Sequence, residues 1–324
     1  MKNEFEIELF SRINTGEWDN FVQESNNGTI FHKQHFLNYH PPARFNRLDL
    51  IIRRQGKIAA VIPGIIKQEL EDRYYISHGG ASFGGLVFKK DLGLREISLI
   101  VEKWLDFLKS NGCTKVEIVV PPVFYCEKQN NHMEFVLSQR GFGFKKRELT
   151  SVITLPNNPG AVLSIFKNEC RTATKKAIKM GVKIKICEDW NNYYRILEKN
   201  LKLRHNVSPA HTLDELKDLN VRFPQDILLF GAYIKSHLAG GIVMFKCNNR
   251  ASMAFYISHD NNFQALRPVN LLFYEVIKWS IDSGCSFLDF GLFTVNMYPN
   301  WGLAKFKETF GAQGVFRDYF IKEI

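Results

Sequence analysis

A run of basic residues from Lys167 to Lys185 could bind an anion. Within it, Lys167, Arg171 and Lys175 recur every four residues, so a helix would place them on one face. Glu169 is the one acid in the run. A solvated surface is the usual explanation of such a face, but the same cations would also suit a phosphate or a carboxylate.

The carboxylate of Asp289 stands inside the apolar run Phe287–Phe293. A strand-borne carboxylate in such surroundings must find hydrogen-bond partners, or its pKa rises. It could therefore serve as a base or as an acceptor for backbone N–H groups. Asp289–Gly291 also spells the magnesium-holding signature of protein kinases. Because the chain has neither a His-Arg-Asp sequence nor a Gly-x-Gly-x-x-Gly loop, we exclude a kinase.

Two further stretches place cations where chemistry could use them. Lys305 and Lys307 flank Phe306, and in a strand or extended loop both lysines would point to one side. Arg267 precedes Pro268, which suits the first turn of a helix. Free N–H groups at a helix N-terminus favour anions, although a plain surface turn is the alternative.

The length and composition of the chain limit the number of domains that can position these groups and the kind of partner they can bind. The chain has 324 residues, which suits two domains, and 45% of them are hydrophobic. The net charge of +10 suggests an anionic partner, or a chain that is simply basic. The six cysteines form no Cys-x-x-Cys pair, so we expect no metal site and a reducing cytoplasm. Neither an export signal nor an apolar run of about 18 residues is visible, so no integral membrane contact is expected.

The chain repeats itself. Tyr75–His78 recurs as Tyr256–His259, each copy preceded by a hairpin pattern and followed by a helical pattern with a Lys-Trp pair. Each helix is followed by Gly-Cys and an apolar strand, which aligns Glu117 with Asp289. We interpret this as a duplicated α/β unit, with domains at residues 1–150 and 151–324. The repeat explains Tyr256 more simply through architecture than through catalysis.

Four stretches of the second half resemble the Fem-type (FemAB-like) acyltransferases of the GNAT superfamily, in the family's order. They are FKNECRTATKKAIKMGVKI, the hairpin IKSHLAGGIVM, RPVNLLFYEVIKWSIDSGCSFLDFG and GLAKFKETFGAQ. The first half matches mainly through the duplication. The resemblance implies an α/β (α+β) fold of two tandem GNAT-like domains. Each would be a mixed, mostly antiparallel sheet flanked by helices.

The resemblance also implies roles for particular residues. Lys307 matches the family's lysine, which would stabilise negative charge at the reacting carbonyl or a phosphate. The full set comprises catalytic candidates Lys307, Asp289 and Tyr256, donor-binding candidates Leu266, Arg267, Pro268, Val269 and Asn270, and substrate-binding candidates Arg171, Lys175, Arg204 and Lys305.

The expected function is transfer of an acyl or aminoacyl group to an amine of a phosphorylated or cell-wall-type acceptor. Acyl-CoA or another acyl donor would be the cofactor, without a metal, and a small-molecule or nucleotide-linked acceptor the partner. The first alternative is an aminoacyl-tRNA-dependent peptidoglycan bridge peptidyltransferase, although Asn206–Pro209 interrupts the stretch where such ligases carry a long helical arm. The second is a non-catalytic anion-binding protein on the same scaffold, since Gln264–Val269 replaces a Gly-rich pyrophosphate loop.

Overall fold

The computed structural model describes residues 5–11, 15–205 and 207–324, without the side chains of Arg204 and His205. The strands are β1 Phe5–Leu9, β2 Asn46–Arg47, β3 Leu50–Arg54, β4 Lys57–Ile62, β5 Ile65–Glu69, β6 Asp72–Ser77, β7 Val87–Phe88, β8 Lys115–Val119, β9 Gly143–Thr154, β10 Lys183–Ile186, β11 Ile227–Ile234, β12 His237–Lys246, β13 Ala251–His259, β14 Phe287–Leu292, β15 Thr294–Val295, β16 Tyr298–Pro299 and β17 Gln313–Glu323. The helices are α1 Thr15–Glu24, α2 Gln34–Leu37, α3 Leu94–Ser110, α4 His132–Gln139, α5 Val162–Ile165, α6 Asn168–Lys179, α7 Trp190–His205, α8 Leu213–Arg222, α9 Pro268–Asp282 and α10 Trp301–Glu308.

The chain folds into two compact units. The first unit comprises Met1–Glu148 and Phe316–Ile324, and the second unit comprises Leu149–Val315. The last segment of the chain thus belongs with the first unit, which combines two separate stretches, whereas the second unit is one continuous stretch. Both units combine helices with sheets in which most neighbouring strands are antiparallel.

The first unit contains two runs of paired strands. One has the order β1-β3-β4-β7, and the other places β8, β6, β5 and β2 side by side. Strands β6 and β8 are parallel, whereas Tyr319–Glu323 of β17 pairs antiparallel with β8. The connection from β6 to β8 passes through α3, as a parallel crossover requires.

Helix α3 forms where the apolar spacing predicts it. Its buried side chains recur at three and four residues and pack into the core of this unit. Gly93 caps its start, where the Glu96 carboxylate accepts a hydrogen bond from the Gly93 N–H at 2.9 Å. The chain leaves the helix through Gly112, whose φ of +75° suits glycine.

The second unit holds a sheet of order β10-β11-β12-β13-β14-β9 and, apart from it, the short pair β15-β16. The strands of the larger sheet are antiparallel except β13 and β14, which run parallel and are joined through α9. Helices α6 and α9 cover one core, where Phe273, Phe290 and Phe310 pack together. The predicted hairpin turn lies between β11 and β12, with Lys235 in a left-handed conformation.

Candidate active site

Strands β13 and β14 separate partway along the sheet. Their parallel pairing joins Ala251–Met253 to Phe287–Asp289 and stops at the Met253 and Asp289 pair. A register shift between Val243 and Met244 of β12 leaves Phe255 as an extra residue in β13. Strand β13 then continues to His259 without pairing to β14, and we call this unpaired stretch between the two strands the cleft.

A buried lysine lies at the point where the strands part. Lys307, from α10, is 3% exposed, and its Nζ donates to the carbonyl oxygens of Gly291 and Leu292 at 2.7 and 2.8 Å. The same Nζ lies 5.5 Å from the ring centre of Phe290. Since burial penalises the ammonium form, the pKa of Lys307 falls to about 7, although the Asp289 charge opposes the shift. Both protonation states of this amine are therefore populated near neutral pH.

Gly291 shapes the carbonyl pair that holds the lysine. Its φ is +82°, a region that L side chains rarely adopt. The register of β14 against β9 shifts at this place, between Asp289 and Leu292. A glycine at this position therefore lets β14 turn so that two successive carbonyl groups face one ammonium.

Asp289 is fully buried and supports the same turn. Its Oδ1 accepts hydrogen bonds from Thr150 Oγ1 at 2.5 Å and from the Gly291 N–H at 2.9 Å. From the sequence, Asp289 could be either a catalytic base or an acceptor of hydrogen bonds from backbone N–H groups. These contacts are those of an acceptor that orders the Gly291 turn, while its charge favours the protonated form of Lys307.

The expectation that Lys305 and Lys307 share one side is wrong. The segment is the helix α10 and not a strand, and its N-cap Asn300 accepts a hydrogen bond from the Leu303 N–H at 3.0 Å. Residues two apart on a helix point in different directions, so Lys307 is buried while Lys305 is exposed. Only one of the two lysines therefore reaches the cleft between β13 and β14.

The predicted donor-binding stretch forms the start of α9. Arg267 is the N-cap and adopts the left-handed conformation, with a φ of 56°, and Pro268 occupies the first helical position as predicted. The first turn contains no acidic residue and has no side-chain cap. Leu266 and Val269 pack partly against the core, whereas the buried Asn270 donates to Cys170 Sγ at 3.5 Å. The helix start therefore presents its positive end beside an exposed arginine.

The predicted anion-binding face lies on α6, next to α10 and α9. The Lys167 N–H bonds to the Thr309 carbonyl at 2.8 Å, which joins the start of α6 to the end of α10. Arg171 is half-buried and donates to Asn168 Oδ1, whereas Lys175 is exposed. Arg204 belongs to α7, but its side chain lies outside the described part of the chain.

Tyr256 sits on β13 beyond the last residue paired with β14. Its hydroxyl accepts from the His211 N–H at 3.2 Å and lies 3.0 Å from His211 Nδ1. Burial raises the pKa of Tyr256 to about 12, so the phenol stays protonated at neutral pH. The partner His211 was missed by the sequence analysis, because 45 residues separate the two side chains and no local motif marks them.

Comparison with known proteins bears on the domain and on the fold. Residues 164–308 match the family model of the acetyltransferase (GNAT) domain. This match lies within the second unit, in the half of the chain where the resemblance was expected. No curated protein matches the chain significantly.

Solved structures match nearly the whole chain. FemX aligns with a TM-score of 0.75 at 14% identity, over 98% of this chain and 97% of that one. A tandem GNAT protein from the clavulanic acid biosynthesis pathway has a TM-score of 0.57 at 10% identity, over 99% and 98%. The C-terminal domain of a putative lysylphosphatidylglycerol synthetase from Agrobacterium fabrum gives 0.60 at 9%, over 96% and 92%.

These matches confirm the predicted fold, in which two GNAT-like domains follow one another as in Fem-type proteins. The match to the acetyltransferase (GNAT) domain supports an acyltransferase. Among the residues that the structure describes, no group of three or more His, Cys, Asp or Glu could hold a metal. No helix in this part of the chain is both long and apolar enough to span a membrane.

Proposed function

We propose that this chain is an N-acyltransferase whose reaction takes place in the second unit, with Lys307 at its centre. The observation that carries the proposal is the burial of this lysine where β13 and β14 separate. An acyl carbonyl in the cleft would lie beside an ammonium held by two backbone carbonyl groups. Such a preorganised charge stabilises the oxyanion that forms when an amine attacks the acyl carbon.

The reaction needs an acceptor amine in its neutral form. The nitrogen lone pair forms the new C–N bond, the amine loses a proton, and the donor's leaving group departs with its bonding electron pair. Lys307 in its ammonium form would stabilise the intermediate, and Asp289 would keep that form populated. Tyr256 remains a candidate for positioning the acceptor, because its protonated hydroxyl can donate a hydrogen bond.

We place the donor's phosphates at the start of α9, from Leu266 to Asn270. This proposal is supported by the positive helix end, the absence of an acidic residue in the first turn, and the exposed Arg267. Acyl-CoA is the donor that we favour. Aminoacyl-tRNA is the alternative, since its acyl ester would meet the same lysine.

We place the acceptor's anionic group near α6 and α10, with Arg171, Lys175, Arg204 and Lys305 as binding candidates. Helix α6 starts where α10 ends, so Arg171 belongs to the same side of this unit as the lysine-bearing helix. A phosphorylated or cell-wall-type amine, either a small molecule or nucleotide-linked, would suit these cations. We also propose a cytoplasmic location, and domains at residues 1–150 and 151–324.

A ligand screen tests the proposal. We expect acetyl-CoA or a longer acyl-CoA to raise the melting temperature, and the thermal shift to fall in Arg267→Ala. Arg195→Ala, which removes an exposed arginine of α7, is the matched control and should keep the shift. Stabilisation by aminoacyl-tRNA alone would favour the peptidyltransferase alternative.

The non-catalytic alternative makes a different prediction. An anion-binding protein on this scaffold would bind polyanions with a steep salt dependence, and Arg267→Ala or Lys307→Ala would not alter binding. Acyl transfer to an amine by the wild type, with loss in Lys307→Ala, would exclude this alternative.

A further inference from the structure

A short hairpin after β14 exposes a cluster of large apolar side chains. We call Val295, Met297, Tyr298 and Trp301 the apolar tip; their exposed fractions are 71%, 60%, 80% and 76%. Concentrated exposure of this kind marks an interaction surface more often than chance, whereas single exposed residues do not. The acyl-transfer proposal assigns no role to these residues.

The backbone holds the apolar tip away from the core. Strands β15 and β16 pair Val295 with Tyr298, and the two residues between them, Asn296 and Met297, both adopt left-handed conformations, with φ of 50° and 65°. This is a tight two-residue turn that usually takes Asn-Gly, so methionine at its second position is unfavourable for the backbone. At the base, the Asn300 N–H bonds to the Phe293 carbonyl at 2.8 Å.

The segment that carries the apolar tip is basic, and the first acidic residue after it is the exposed Glu308 at the end of α10. No acidic residue occurs between Phe293 and Lys307. The exposed Lys305 follows Trp301 by one helical turn on α10, so both side chains lie on the same face. The exposed Lys167 starts α6 beside the end of α10.

We propose that the apolar tip docks the second unit onto an anionic lipid bilayer. Tryptophan and tyrosine favour the headgroup region, valine and methionine favour the acyl boundary, and lysine reaches lipid phosphates. The net charge of +10 favours an anionic surface in the same way. This combination of interfacial aromatic side chains and flanking cations fits a lipid surface better than an acidic protein.

Docking of this kind would bring the candidate active site to the membrane surface. The hairpin begins two residues after Leu292, whose carbonyl accepts from Lys307 at 2.8 Å. A lipid-borne acceptor or donor could then reach the lysine without leaving the bilayer. The docking itself does not depend on acyl transfer, so it can be measured without a substrate.

Vesicle binding tests the inference on the full chain. We expect co-sedimentation with phosphatidylcholine vesicles that contain phosphatidylglycerol, and much weaker binding to phosphatidylcholine alone. The double variant Tyr298→Ser/Trp301→Ser should bind roughly tenfold or more weakly, because two interfacial aromatic anchors are lost. Val221→Ser removes an apolar side chain of α8 that is 75% exposed, and this matched control should bind like the wild type.

Tryptophan fluorescence gives a second readout at the apolar tip itself. Trp301 is the exposed one of the five tryptophans, all of which are described, so brominated lipid in anionic vesicles should quench its emission. Three outcomes would overturn the proposal: no binding to anionic vesicles, equal binding by the double variant with an unchanged melting temperature, or a self-association that the double variant abolishes.

Discussion

The parallel strand pairs of the two units end in different ways. In the first unit, β6 stays paired with β8 up to its last residue, Ser77, and the Gly84 N–H then bonds to the Val119 carbonyl at 2.8 Å. In the second unit the pairing stops at Met253, six residues before β13 ends. The parallel pairing thus runs to the end of β6 in the first unit and stops well before the end of β13 in the second.

The helix before each terminal strand makes the contrast sharper. Gly141 and Gly311 both have left-handed conformations, and the residue four positions earlier is Leu137 in one copy and Lys307 in the other. Leu137 packs into the apolar core of the first unit. Lys307 therefore occupies a position at which the first unit has leucine. Burying its charge lowers the stability of the second unit, and this favours a functional role over a purely structural one.

The two units also differ in the surroundings of their aligned carboxylates and in the residues at the starts of α3 and α9. Glu117 pairs with Lys145 at 2.7 Å near the surface, whereas Asp289 is fully buried beside the lysine site. The start of α3 is occupied by the Glu96 carboxylate, whereas the first turn of α9 contains no acid. An acidic side chain therefore caps the helix start in the first unit, whereas the start of α9 in the second unit has none.

The largest expected effect comes from moving the lysine into the first unit. Leu137→Lys should lower the free energy of unfolding by about 3–5 kcal/mol, because it buries an ammonium in an apolar core. Leu137→Met, which keeps an apolar side chain of similar volume, should cost less than about 1.5 kcal/mol. Urea unfolding measures both, and equal values would show that this helix position does not distinguish the units.

The lysine of the second unit should make stability depend on pH. Because folding lowers the pKa of Lys307 from 10.5 to about 7, the unfolded chain binds more protons between these values. The free energy of unfolding should therefore rise with pH in this window, by up to about 1.4 kcal/mol per pH unit. Lys307→Leu should remove this rise. Denaturant unfolding at several pH values measures the free energy of unfolding of both proteins. A rise that persists in the variant would point to other groups.

The two carboxylates should respond differently to neutralisation. Asp289→Asn removes a charge that favours the ammonium of Lys307, so the pKa of the lysine should fall further. The alkaline loss of transfer activity should then move to lower pH by up to about one unit, or about 1.4 kcal/mol. Glu117→Gln breaks a partly exposed ion pair in the first unit and should leave the pH profile in place. Equal profiles for both variants would contradict the role given to Asp289.

The smallest expected effect concerns the start of α9. Arg267→Ala should raise the KM for a phosphate-bearing donor a few-fold and leave kcat nearly unchanged, because an exposed charge pair contributes about 0.2–1 kcal/mol. Steady-state kinetics at low and high salt would measure this change in KM. An unchanged KM at low salt would remove this arginine from the donor site.

Local patterns in the sequence predicted much of this structure. The capping box of Thr212 and Glu215 begins α8, and the proline at 268 begins α9, as expected from residues next to one another. The alternation Lys-Phe-Lys at 305–307 favoured a strand, but the Asn300 cap and packing of Ala304 and Lys307 inward make a helix there. The contact of Tyr256 with His211 depends on residues far apart in sequence, which no local pattern reveals.

Comparing Lys307→Leu with Lys305→Leu in a transfer assay shows whether the buried lysine of α10 carries the reaction. Both variants remove a lysine of α10, one from the cleft and one from the surface. We predict that Lys307→Leu loses at least about 100-fold in kcat/KM, as expected for a charge aimed at the developing oxyanion, while its melting temperature stays equal or rises. Lys305→Leu should keep kcat within a few-fold. Unchanged turnover by a folded Lys307→Leu protein would contradict the role proposed for Lys307.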